Sequence, residues 1–178
     1  MAKRRIRIDM KELEGAFELS CDSCHYYLDT ETGNVLMVSE DASNTIETFF
    51  EESEIKDQDV KTEFEKWLAE SDLHNWQQQA AREALQVELG YGSRVISVPD
   101  QDSHEDYRDM ERFVGTVPEG HLRDMLLLAL DGRGAFRRFK DVLYRYPEDQ
   151  KRWYAFKAER LHRQMMDWLE EKGIELID

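Results

Sequence analysis

With 178 residues the chain has room for one domain of ordinary size with a real core, and not comfortably for two. A hydrophobic content of 40%, with 4 Trp, 7 Tyr and 8 Phe, excludes an intrinsically disordered chain, so the 35% of charged residues describe a surface. The formal net charge of −15 repels nucleic acid and anionic membranes over most of that surface and favours partners with basic faces.

The first residues are basic (Lys3, Arg4, Arg5, Arg7), but they lead into "IRIDMKELEGAF" rather than an apolar run with a cleavage site. No stretch approaches the roughly 18 apolar residues of a membrane span. A cytoplasmic protein is therefore expected.

"RIRID" alternates Ile6 and Ile8 with Arg5 and Arg7, as a half-buried strand does. Asp9, with Glu12 three residues on, is placed to cap a helix whose Leu13 and Phe17 share a face. "HYYLDTETGNVLMVS" reads as a hairpin turning around Thr32, Gly33 and Asn34, where positive φ is needed. From Glu40 to Asp72 there are 12 acidic residues against 3 lysines, on patterns that are helical. Ile46 with Phe49 and Phe50, and Val60 with Phe64, Trp67 and Leu68, recur at helical spacing. "NWQQQAAREALQVELGYG" continues as a helix to a stop near Gly90.

"SRVISVPD" is the next strand candidate, ended by Pro99. Ser103 with Asp106 resembles a capping box, and Tyr107, Met110, Phe113 and Val114 of the helix it opens share a face. Pro118 suits the first turn of the following helix, whose "MLLLAL" is apolar all round and so belongs in the core, with Gly132 as its C-terminal cap.

The segment "DGRGAFRRFKDVL" then gathers Arg133, Arg137, Arg138 and Lys140. Phe136, Phe139, Val142 and Leu143 form the inner face of a short helix, so the cations point outward. Pro147, Glu148 and Asp149 start a long last helix that Lys172 and Gly173 end. Tyr154, Ala158, Leu161, Met165, Trp168 and Leu169 define one apolar face of it, while Trp153 and Phe156 fall on the other side and need a cover, expected from the preceding short helix.

Motifs for chemistry are weak. "CDSCH" (Cys21, Cys24, His25) matches the haem-attachment pattern, but attachment requires export, a cysteine zinc site needs a second ligand pair, and a redox pair usually opens a helix. "ERLH" (Glu159, His162) has the spacing of a di-iron helix without the second copy such a site requires. His74, His104 and His121 sit at helix starts or in polar surroundings, and no G-x-S-x-G elbow is present. "GRGAFRRFK" lacks the Lys-Ser/Thr ending of a P-loop and follows a helix, though two glycines and Arg133 at a helix start suit an anion. No cofactor or metal is indicated, no catalytic residue stands out, and the balance leans away from an enzyme.

The blocks "HYYLDTETGNVLMVSED", "DSHEDYRDMERFVGTV" and "GRGAFRRFKDVLYRYPEDQKRWYAFKAERLHRQMMDWLEEKGIEL" resemble those of uncharacterised protein family 0158, a set of small bacterial proteins. "GRGAFRRFKD" and "WYAFK" are the most specific of them, and the resemblance covers residues 5–40 and 93–176. It implies a bacterial, cytosolic protein of unknown function, supplies no catalytic residue, and includes neither cysteine of "CDSCH". The acidic helices from about residue 45 to 91 lie outside it.

The expected fold is α+β and mainly helical: a small antiparallel sheet from "RIRID", the hairpin and "RVISV", with helices packed on one side. One domain is expected over 1–178, with strand, helix and hairpin at 5–40, an acidic helical layer at 41–91, and a strand with helices at 93–178. The first functional expectation is a non-enzymatic binding or regulatory protein contacting an unknown protein through Arg133, Arg137, Arg138 and Lys140 with Trp153 and Phe156. Two alternatives use the same arginines: nucleic-acid contact with stacking on Trp153 or Tyr154, or an enzyme holding a small anionic substrate at Arg133. A purely structural reading has the cations pair with the acidic helices between Glu40 and Asp72. Oligomeric state is open.

Overall fold

The computed structural model describes residues 4–19, 22–53 and 59–177, which divide into two compact units, Met1–Asp100 with Leu169–Asp178 and Gln101–Trp168. The first holds β1 (Arg4–Ile6), α1 (Met10–Glu18), β2 (Cys24–Asp29), β3 (Val35–Ser39), α2 (Glu40–Glu52), α3 (Val60–Glu70), α4 (Asn75–Gly90), β4 (Val95–Ser97) and β5 (Ile174–Leu176). The second holds α5 (Ser103–Thr116), α6 (His121–Leu130), α7 (Ala135–Tyr144) and most of α8 (Pro147–Glu171), whose last three residues belong to the first unit. The chain is thus α+β and mainly helical.

The hairpin is the organising element of the first unit. β2 pairs antiparallel with β3 on one side and with β4 on the other, Leu28 standing opposite both Val35 and Ile96. β1 does not join this sheet, contrary to the expectation from "RIRID". It pairs in parallel with β5, Arg4 opposite Ile174 and Ile6 opposite Leu176. A strand's alternation says which face is buried, not which edge it meets, and β5 is only three residues long.

Gly33 occupies the hairpin turn with φ of 78°, and a Cβ there would stand 1.8 Å from the Arg7 carbonyl oxygen, so both conformation and space demand glycine. Asp29, fully buried beside that turn, accepts hydrogen bonds from the Glu31 and Thr32 backbone N–H groups and from Gln86, with Arg94 3.7 Å away. Burial pushes its carboxyl up, and the Glu31, Gln86 and Thr32 hydrogen bonds with the Arg94 charge more than offset this, holding it below the usual carboxylate range. Leu36 and Val38 of β3 join Ile46, Phe49, Phe64 and Leu85 in the core of this unit.

Asp9 caps α1 as expected, accepting from the Lys11 and Glu12 N–H groups, and α4 stops at Gly90. Two helix starts are corrected. The cap of α5 is Asp102, which accepts from His104 N–H, so Ser103 is already helical. α6 begins at His121 after Gly120, leaving Pro118 outside it.

The second unit packs Phe113 and Met110 of α5, Leu126 and Leu130 of α6, Phe139 of α7 and Trp153 of α8 around one core. Trp153 lies edge-on to Phe139 and Phe113, with ring centroids 4.9 Å and 5.2 Å away, so α7 does cover it. The stripe predicted for α8 holds in its second half, where Met165, Trp168 and Leu169 are buried and Leu161 half-buried, but Tyr154 and Ala158 are exposed, and Trp153, Phe156 and Arg160 carry the inward line at its start. Arg160 interrupts the apolar pattern because it donates to the buried Asp109, 3.0 Å away, which also accepts from Arg112 at 2.8 Å. That hydrogen bond, with the nearby Asp109 and Glu105 charges, raises the Arg112 pKa.

Candidate functional site

α6 contradicts the expectation of an all-buried helix. Leu126, Ala129 and Leu130 face the core, but Leu127 is 51% and Leu128 74% exposed. A single helix side meets the core of this small unit, so six consecutive apolar residues necessarily leave some outside.

The chain then turns through Gly132 and Gly134, both with positive φ (76° and 78°), and re-enters a helix at Ala135. Arg138 reaches back across this turn: its guanidinium donates to the carbonyl of Ala129 at 3.3 Å and to those of Asp131 and Arg133. These are carbonyls at and just beyond a helix C-terminus, where a cation is favoured by both hydrogen bonding and the helix dipole. Arg138 therefore fastens the turn, by main-chain acceptors rather than by the carboxylates expected for it.

The other three cations remain on the surface. The Arg137 side chain is 90% exposed, with Asp141 of its own helix 3.9 Å away, a contact worth little in water. Arg133 and Lys140 are exposed and make no side-chain ion pair or hydrogen bond among the described residues. Trp153, by contrast, is 5% exposed and belongs to the core, and Phe156 is half-buried against it, ring centroids 6.0 Å apart. The predicted cationic and aromatic members thus separate into a surface set and a core set.

Between α6 and α7 lies an open groove of about 270 Å³ lined by Met125, Leu128 and Ala129 on one side and Arg138, Asp141, Val142 and Arg145 on the other. Leu127, Leu128 and Arg145 were not among the predicted site residues. The available signal was α6 itself, too apolar for the single face it buries. The lining contains one carboxylate and no histidine, cysteine or serine. Elsewhere, Cys24 opens β2 while Cys21 lies outside the described residues, and Glu159 pairs with Arg163 at 3.1 Å. Among the described residues no group of His, Cys, Asp and Glu is arranged to hold a metal, and no helix is long and apolar enough to cross a membrane.

Uncharacterised protein family (UPF0158) matches residues 74–178, which include the whole of α4 through α8. The chain belongs to this family. A UPF0158 protein of Pseudomonas aeruginosa is 30% identical over 172 residues, covering 97% of this chain and 87% of its own length. Both matches reach into the acidic helices that the resemblance in the sequence left out. No solved structure matches.

Proposed function

We propose that this UPF0158 member is a non-enzymatic binding or regulatory protein whose contact surface is the face formed by α6, the glycine turn and α7. The observation that carries the reading is the exposed Leu128 lining one groove with Arg138 and Arg145, with a second exposed leucine at 127 and exposed cations at Arg133, Arg137 and Lys140, in a chain of net charge −15. Exposed apolar surface rimmed by polar groups costs solubility without contributing to the core, and interaction sites are its usual explanation.

Nucleic acid is the weaker alternative on this face. Burial of Trp153 removes one of the two aromatic residues on which bases were expected to stack, leaving the exposed Tyr154, and phosphate contacts alone leave Leu128 without a role.

The test places a photo-activated cross-linking residue at position 128 in the cell, with position 88 as an exposed control. The expected result is a protein adduct specific to position 128 that resists nuclease and disappears in the Arg137→Glu, Lys140→Glu double variant. Arg138 is left intact because it holds the turn. Adducts common to both positions, or nuclease-sensitive ones only, overturn the proposal.

A further inference from the structure

The geometry points to the class of segment that the α6–α7 groove receives: an acidic, amphipathic helix of a partner protein that inserts an aliphatic side chain beside Leu128. This inference rests on the binding role proposed above and adds the chemistry of the ligand.

Charge is the first ground. Between Asp131 and Arg145 the sequence holds five cations (Arg133, Arg137, Arg138, Lys140, Arg145) against two carboxylates, in a chain that is otherwise strongly acidic. These cations locally oppose the long-range attraction toward basic partners that the molecule as a whole favours. Asp141 lines the groove, but Arg137 stands 3.9 Å from it. Since Arg138 is committed to main-chain carbonyls, Arg133, Arg137, Lys140 and Arg145 are the cations left to meet carboxylates.

Shape is the second ground. The groove walls repeat at helical spacing: Met125, Leu128 and Ala129 along α6, and Arg138, Val142 and Arg145 along α7. The span from Arg138 to Arg145 is roughly 10 Å at the helical rise, about two turns. That length suits one anchoring side chain and its neighbour one turn on. The volume of about 270 Å³ is open and falls below the range typical of small-molecule sites, roughly 300–1,000 Å³. The described part of this unit contains no strand, so strand addition has no sheet edge to use, while walls that repeat at helical spacing suit the packing of a helix along them.

The probe is a synthetic peptide of about 15 residues, long enough to be helical on binding, with leucines at i, i+3 and i+7 and glutamates flanking them. Two controls replace its glutamates by lysines or its leucines by serines. Titrated into the isotope-labelled full chain, the acidic leucine peptide is expected to shift the amide resonances of Leu128, Arg137 and Val142. Affinity should fall about tenfold or more for either control peptide, for the Leu128→Ser protein, and at raised salt for the glutamate contacts. Leu128→Met should retain binding. Equal affinity for the lysine control, or shifts confined to other parts of the chain, overturn the inference. If the 128-specific cross-link persists while the acidic peptide leaves the α6–α7 resonances unmoved, the surface stands and the acidic helix is wrong. If the cross-link itself is absent, the surface is wrong as well.

Discussion

Among the described residues the two units each bury one carboxylate, and they satisfy it by different means. Asp29 in the first is held mainly by its own turn, through the N–H groups of Glu31 and Thr32, with Gln86 added from α4 and the Arg94 charge farther off at 3.7 Å. Asp109 in the second is held by arginines, Arg112 one turn away and Arg160 51 residues away. Neutral amide donors neutralise no charge but are fixed in place by a turn. Guanidinium partners do neutralise it, at the cost of ordering long side chains. The surfaces diverge too, one unit carrying the acidic helices α2 and α3, the other the cationic α7 beside exposed leucines.

Breaking the arginine-held site should have the largest effect. Asp109→Ala leaves Arg160 partly buried without its carboxylate and is expected to destabilise by about 3–5 kcal/mol, read from denaturant unfolding by Trp fluorescence. A loss below about 1 kcal/mol shows that the arginines find water instead. Because α8 contributes residues to both units, one unfolding transition is expected for wild type, and far-UV dichroism should coincide with fluorescence.

Gly33→Ala comes next, at roughly 2–3 kcal/mol, because the new Cβ meets the Arg7 carbonyl and the turn needs positive φ. Arg138→Ala should cost about 1–3 kcal/mol through lost charged hydrogen bonds to the end of α6, and it should loosen the turn. Increased amide exchange at residues 129–134 is the accompanying sign, and unchanged protection there refutes the fastening role.

Acid pH probes the turn-held carboxylate. The Asp29 pKa is lower in the folded chain, so its contribution is fully present above the unfolded value near 3.9 and is lost as pH falls through the folded value. Asp29→Asn should therefore flatten the acid limb of the stability curve below about pH 4, leaving its shape near neutrality unaltered. The smallest effect is expected at Leu128→Ser, within about 0.5 kcal/mol of wild type, since that side chain is exposed. A stable Leu128→Ser protein that no longer gives a partner complex is the sharpest separation of surface from core.

Much of the framework was legible from neighbouring residues. Asp9 capping α1, glycine at the hairpin turn, the stop at Gly90 and the positive φ of Gly132 all depend on atoms within a few positions along the chain. The cationic turn was equally visible as a cluster. Its division was not, because Arg137 and Arg138 are adjacent and chemically identical, and only their directions from the helix decide that one meets solvent and the other the carbonyls of α6.

The amino-acid sequence by itself determined the order of the elements, most of their boundaries and the local charge of each, since helix periodicity, caps and turns act over a few residues. Tertiary structure alone decided that β1 meets β5 rather than the hairpin, that Arg160 lies in an otherwise apolar stripe to reach Asp109, and that Leu128 remains outside while Trp153 goes in. The physical reason is that burial and partner choice are properties of surfaces brought together by folding. A leucine carries the same transfer free energy wherever it stands, and only packing settles whether that energy is realised within the chain or left for a partner.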